Sequence, residues 1–208
     1  MLQTTFIILT LLTLFLLYRG TGKNKQVVFI IFFWQLIIGF LSFTEVFKNT
    51  PLLFPLAIVG TIITTVFCVS KLATEKLNTD YLLGIHMIRI PVELCLYQLF
   101  LDAQIPKIMT FSGYNFDILI GISALALVLY RFLKKKDISK RYFKTWNIIG
   151  ILFLSSIVII AILSAPLPIQ QFAFEQPNIA LLEFPYSMLP TCIVPIVFIS
   201  HIMLLKKL

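Results

Sequence analysis

The sequence is poor in charged residues, in cysteine and in histidine. Charged types make up 12% of its 208 residues and apolar types 59%, whereas a soluble domain carries about 25% charged residues. The three cysteines, Cys68, Cys95 and Cys192, lie singly in apolar stretches, so neither a zinc finger nor a disulfide framework can form. Two histidines cannot supply a His-rich metal site. These shortages exclude a soluble globular protein and indicate an integral membrane protein.

Seven apolar runs divide the sequence, and each is long enough to cross a hydrocarbon core of about 30 Å as a helix. They cover residues 2–18, 26–47, 51–70, 81–101, 115–133, 145–164 and 180–204. A helix satisfies its own backbone hydrogen bonds in lipid. The predicted fold is therefore all-α: one integral membrane domain over residues 1–208, a bundle of seven transmembrane helices without an appended catalytic or DNA-binding domain.

The distribution of Lys and Arg predicts the orientation of this bundle. Of the 17 basic residues, all but Lys48, Arg89 and Lys107 lie in or beside the first, third and fifth loops and the C-terminal tail. Basic loops stay in the cytoplasm, so we expect the N-terminus outside and the C-terminus inside the plasma membrane. The net charge of +8 then reflects topology and gives no reason to expect nucleic-acid binding. The run RFLKKKDISKRYFK also predicts contact with anionic membrane lipids.

Helix four carries a polar stripe within an apolar run. His86, Arg89, Glu93 and Tyr97 are spaced three, four and four residues apart, which confines them to one face of a helix. Arg89 and Glu93 fall near the middle of the predicted span. Charges within a span are expensive and usually face a protein interior or a wet cavity. One interpretation is an Arg89–Glu93 ion pair that locks helices together, and the other is a site for a ligand or an ion.

Three further acids fall at helix ends on the predicted outer side. Glu45 ends helix two, Asp117 begins helix five and Glu183 begins helix seven. Their common depth predicts an outward-opening vestibule lined by carboxylates, with Arg89 near its floor. The alternative is that each is an ordinary acid at the membrane interface.

His86 and His201 share a depth on the inner side, and if helices four and seven are neighbours, the two imidazoles could ligate a haem or a transition metal between them. The alternative is that each imidazole bonds a nearby carbonyl or a lipid headgroup, and we expect no cofactor. A retinal protein is excluded because helix seven has no lysine in its middle. HExxH, nucleophile-elbow and phosphate-loop motifs are absent, so we do not expect an enzyme.

Four stretches resemble a known family: RIPVELCLYQLF, YNFDIL, QQFAFEQPNIALLEFP and LPTCIVPIVFISH. They are similar to an uncharacterised family of small seven-helix bacterial integral membrane proteins. The resemblance spans roughly residues 82–205. It implies a membrane location and a helix count, and it carries no activity.

The sequence therefore predicts a membrane protein whose outward-facing polar pocket binds or conducts a small molecule or ion. Arg89 would anchor an anionic group or serve as a counter-ion, and Glu93 would be its partner or a protonatable gate. The vestibule would be lined by Tyr97, Glu45, Asp117 and Glu183. The alternative is an accessory or structural subunit whose charges contact another membrane protein. The two functions differ in whether the stripe of helix four points into the bundle or out of it.

Overall fold

The computed structural model describes residues 1–208 and contains helices and no strand. The seven long helices are α1 (Leu2–Gly20), α2 (Lys25–Phe43), α3 (Leu53–Ser70), α4 (Thr79–Leu101), α5 (Asp117–Lys134), α6 (Lys140–Leu163) and α7 (Leu189–Lys206). Six of them, all except α5, are long and apolar enough to cross a membrane. α5 has the length of a span but carries Asp117, Arg131 and Lys134 near its ends. The all-α fold is confirmed, and six apolar helices of sufficient length suggest a membrane protein.

Three helix boundaries differ clearly from the sequence expectation. α6 begins at Lys140 and not at residue 145, because the helix extends into the basic residues before the apolar run. α2 ends at Phe43 because Glu45 adopts a left-handed conformation, with φ 58°, and starts the short helix Val46–Asn49. α7 begins at Leu189 and not at residue 180. Before it lies only a 3₁₀ turn, Ala180–Leu182. Pro185 disfavours helical backbone in the residue before it, which delays the start of the helix.

α7 lies at the centre of the bundle. It packs against α1, α3, α4 and α6, and its first turn also contacts α2. The other helices surround it, with α1 beside α2 and α4, α2 beside α3, and α5 between α4 and α6. α3 and α6 both pack on α7, and a cavity lies between them. The surrounding ring therefore has a gap at this position.

Proline shapes the central helix. Pro195 has no N–H to donate to the carbonyl of Thr191, and α7 begins with a π-turn over Leu189–Ile193. The side chain of Gln35 in α2 donates to that freed carbonyl at 2.7 Å, and the Thr191 hydroxyl donates to Gln35 Oε1 at 3.0 Å. A buried polar contact thus ties α2 to the irregular part of α7.

Candidate ligand-binding site

A cavity of about 320 Å³ lies between α3, α6 and α7. Twenty of its 27 lining residues are hydrophobic. The lining residues with polar side chains are Arg89, Glu93, Asn115, Asp117 and Asn178. Two polar residues of α4, Arg89 and Glu93, thus reach the same cavity as the first residue of α5, Asp117. The polar stripe of helix four points into the bundle.

The segment between α6 and α7 covers the cavity. Ala165, Leu167 and Ile169 of this segment line it. The Gln176 amide donates to the carbonyls of Phe100 and Ile105, at 3.1 and 2.6 Å. The Asn178 amide donates to the carbonyl of Ala161 at 3.1 Å. The covering segment is therefore fastened to the ends of α4 and α6.

Arg89 forms its ion pair with Asp117. The distance from Nη1 to Oδ1 is 3.3 Å, and both side chains are more than nine-tenths buried. Asp117 lies in the first turn of α5, where the helix dipole favours a negative charge. The expected Arg89–Glu93 ion pair is wrong. The guanidinium of Arg89 pairs with the carboxylate of Asp117, and Glu93 accepts a hydrogen bond from the side-chain amide of Asn115.

Asn115 bonds the side chain of Glu93 and the backbone of Asp117. Its Nδ2 donates to Glu93 Oε1 at 2.6 Å and to the carbonyl of Met109 at 3.1 Å. Its Oδ1 accepts from the backbone N–H of Asp117 at 3.0 Å. Glu93 is 2% exposed, and its second oxygen, Oε2, has no hydrogen-bond partner. Glu93 therefore contributes to the cavity lining a buried carboxyl group in which one oxygen has no hydrogen-bond partner.

His201 connects Arg89 to α6. Guanidinium groups only donate, so Arg89 Nη2 donates to His201 Nε2 at 3.1 Å. The remaining nitrogen, Nδ1, then carries the proton and donates to Asn147 Oδ1 at 2.8 Å, while Asn147 Nδ2 donates to the carbonyl of Phe143. Arg89 also lies 3.5 Å from the carbonyl of Gly150. These contacts fix His201 as a neutral imidazole.

The ring of His86 lies against that of His201, with centroids 3.9 Å apart and the ring planes tilted by 34°. The Ser200 hydroxyl donates to the carbonyl of Leu82 at 2.7 Å, so His86 Nε2 donates to Ser200 Oγ at 3.1 Å. The two histidines predicted to share a depth are therefore in contact. Both nitrogens of His201 are engaged by protein groups, and no group of three or more His, Cys, Asp or Glu is arranged to hold a metal ion.

The other expected site residues lie outside the cavity. Tyr97 stacks on Phe111 with centroids 4.9 Å apart. Glu45 is exposed in the turn after α2, and Glu183 pairs with Lys48 at 2.9 Å. This hydrogen bond, with the charge of Glu183, raises the pKa of the Lys48 ammonium. Glu45 and Glu183 do not line the cavity, because α2 ends before the first and α7 begins after the second.

Several residues of the site were not anticipated from the sequence. Asn147 and Gly150 lie three residues apart on α6, and a Cβ atom at Gly150 would overlap the ring of His201. Asn115 and Asn178 lie in connecting segments. The one available signal was an amide, Asn147, within the apolar run of α6. The amides before α5 and α7 look like ordinary caps in the sequence.

Comparison with known proteins gives a family. No curated protein and no solved structure matches the chain. The family described as "Domain of unknown function (DUF8737)" matches residues 46–208. This range includes α3 to α7, the cavity and the whole polar network. The chain therefore belongs to the DUF8737 family.

Proposed function

We propose that the protein is a seven-helix plasma-membrane protein, with its N-terminus outside, that binds a small ligand in the cavity between α3, α6 and α7. One observation carries this proposal: three ionisable groups, Arg89, Glu93 and Asp117, meet at a cavity whose other walls are mainly apolar. Ligand pockets are typically concave and apolar, with a few polar groups that fix orientation. Their usual volume begins at about 300 Å³.

The direction of the polar stripe favours a binding protein over an accessory subunit. Charges that contact another membrane protein would lie on the outer surface of the bundle. Arg89 is 4% exposed, and both it and Glu93 line the cavity. If the Arg89–Asp117 ion pair served only to hold helices together, the cavity beside it would have no role.

The position of the cavity supports an outward-facing site. Its α6 residues, Leu154 to Ile162, lie in the half of that helix remote from Lys140, and the segment after α6 covers it. Lys134, Lys135 and Lys136 lie at the opposite end of the bundle, between α5 and α6. Because basic loops stay in the cytoplasm, the cavity lies in the outer half of the membrane.

The proposed orientation predicts which loops a membrane-impermeant maleimide can reach. We expect Gln171→Cys to be labelled in intact cells and Lys136→Cys only after the membrane is opened. Both positions are exposed, and the native Cys68, Cys95 and Cys192 are buried, so background labelling should be low. Labelling of both introduced cysteines from the same side would contradict seven spans.

Filling the cavity is expected to abolish ligand binding. Ala161 lines the cavity, whereas Ala126 is an exposed alanine of α5 outside it. We expect the small apolar photoprobe trifluoromethyl phenyl diazirine to label α6 saturably in the parent protein and in Ala126→Phe. Ala161→Phe should lose the saturable component and keep the non-saturable labelling of lipid-facing residues. Mass spectrometry of peptides locates the label.

Equal labelling of the two phenylalanine variants would show that the cavity is not the binding site. The absence of any saturable labelling in the parent protein would argue against a ligand site here. The accessory-subunit alternative would then be the better explanation of the buried charges.

A further inference from the structure

The cavity reaches the lipid-facing surface between α3 and α6. Val59 of α3 and Ile162 of α6 both line it, yet they are 52% and 38% exposed. These helices are joined through α7, which packs against each. Side chains that belong to both the cavity wall and the outer surface mark a lateral opening. A hydrophobic molecule in the outer leaflet can therefore enter without passing through water.

The walls and the volume suit a short apolar chain. We call the part of the cavity lined by Arg89, Glu93 and Asp117 its polar end. The side chains between the lateral opening and this polar end are aliphatic and aromatic, among them Ile58, Leu154, Ile157 and Val197. At about 30 Å³ per non-hydrogen atom, the space of one water molecule in the liquid, a cavity of about 320 Å³ holds on the order of ten such atoms. A longer chain would extend through the gap between α3 and α6 into the bilayer.

The polar end has an unfilled acceptor and an unfilled donor. Glu93 Oε2 and Arg89 Nε are both buried and have no hydrogen-bond partner. Such groups are costly when nothing bonds them. With ionised side chains, Arg89 supplies one positive charge, while Asp117 and Glu93 supply two negative charges. The net charge of the polar end is then negative, which disfavours a carboxylate or phosphate head.

A hydroxyl group matches this pair of unfilled groups. It donates one hydrogen bond, to Glu93 Oε2, and it accepts bonds on its oxygen, from Arg89 Nε. An ammonium group can only donate and a carboxylate can only accept.

We infer that the ligand is a single-chain alcohol that enters from the outer leaflet between α3 and α6 and places its hydroxyl between Glu93 and Arg89. This inference rests on the proposed function and specifies the chemical class of its ligand. The apolar chain occupies the walls formed by α3, α6 and α7, and the hydroxyl completes the buried polar network.

Three photoactivatable probes with the same ten-carbon diazirine chain test the head group in lipid nanodiscs. They differ only in ending in a hydroxyl, a carboxylate or an ammonium group. We expect the alcohol to label the α6 peptide saturably, with an apparent affinity at least tenfold higher than that of the other two. Unlabelled decanol should compete with it.

Glu93→Gln should reduce the affinity for the alcohol probe about tenfold. Asn115 donates to one oxygen of Glu93 and would hold the glutamine oxygen there, so the atom facing the hydroxyl becomes an NH₂ group that cannot accept its hydrogen bond. Glu183→Gln is the matched control, because Glu183 lies outside the cavity and its change should have no effect. Equal affinities for the three heads, or an unchanged affinity in a folded Glu93→Gln, would overturn the inference. If Glu93→Gln fails to fold, the probe series on the parent protein decides alone.

These outcomes separate the inference from the proposed function. If the three probes bind with equal affinity but Ala161→Phe still abolishes their saturable labelling, the ligand site stands and the alcohol is rejected. If trifluoromethyl phenyl diazirine, which carries no head group, shows no saturable labelling of the parent protein, the ligand site itself is rejected.

A crosslink tests the lateral route. A bismaleimide joining Val59→Cys and Ile162→Cys should slow labelling by the alcohol probe at least tenfold. The same double variant capped with N-ethylmaleimide on each cysteine is the control and should label more readily than the bridged protein. Equal labelling rates for bridged and capped protein would show that the ligand does not enter between α3 and α6.

Discussion

Replacing Arg89 with methionine is expected to lower the free energy of unfolding by about 3–5 kcal/mol. The change strands the buried carboxylate of Asp117 without its counter-ion. It also removes the donor to His201 Nε2, so a second buried group loses its partner. Unfolding by sodium dodecyl sulfate in mixed micelles, followed by circular dichroism, measures the loss.

The double variant Arg89→Met with Asp117→Asn should recover much of that loss, because the carboxylate that Arg89→Met leaves without its counter-ion is then neutral. Asp80→Asn serves as the control. It breaks an ion pair with Arg131 in which the Asp80 side chain is 64% exposed, and a pair of this kind contributes about 1 kcal/mol or less. An Arg89→Met variant as stable as Asp80→Asn would mean that the carboxylate of Asp117 is hydrated and that the ion pair is not a structural element.

Gly150→Ala is expected to destabilise the protein by about 1–3 kcal/mol through overpacking. Its new methyl group would overlap Cε1 and Nε2 of His201, whose ring is held between Arg89 and Asn147. The imidazole can yield only by giving up one of those hydrogen bonds. The same micelle unfolding experiment reports the change.

Gly84→Ala provides the matched comparison. It introduces the same methyl group into a helical position of α4 where no atom lies within 4 Å of the new Cβ. Because alanine is favoured over glycine in a helix by up to about 1 kcal/mol, this variant should be as stable as the parent or more so. If Gly150→Ala matches Gly84→Ala, the close approach of α6 and α7 is not fixed by His201.

The apolar runs of the sequence contain enough information to predict the helices. Period and length predict each span, and α1, α3 and α4 begin within two residues of the expected positions. Two of the misplaced boundaries, the end of α2 and the start of α7, depend on local backbone conformation. Glu45 turns the chain after α2, and Pro185 delays α7, and neither effect changes the hydropathy of the sequence.

The site was predictable in part. Arg89, Glu93 and Asp117 were identified from the free-energy penalty of placing a charge within an apolar span, because such a charge needs a buried partner or a cavity. Spacing on α4 wrongly paired Arg89 with Glu93. The true pairing depends on the packing of α5 against α4, which brings Asp117 to Arg89 and is not encoded in the period of either helix. Tyr97 shares the face of the stripe but lies beyond the cavity, beside Phe111.

The central helix of the bundle is also the last of the seven in the order of synthesis. During translation, α1 to α6 are made before Ser200 and His201 exist to bond His86 and Arg89. The first six helices alone would surround an unfilled middle and hold two polar side chains short of partners. Docking of α7 therefore completes the packing of the bundle and satisfies these buried polar groups in one step.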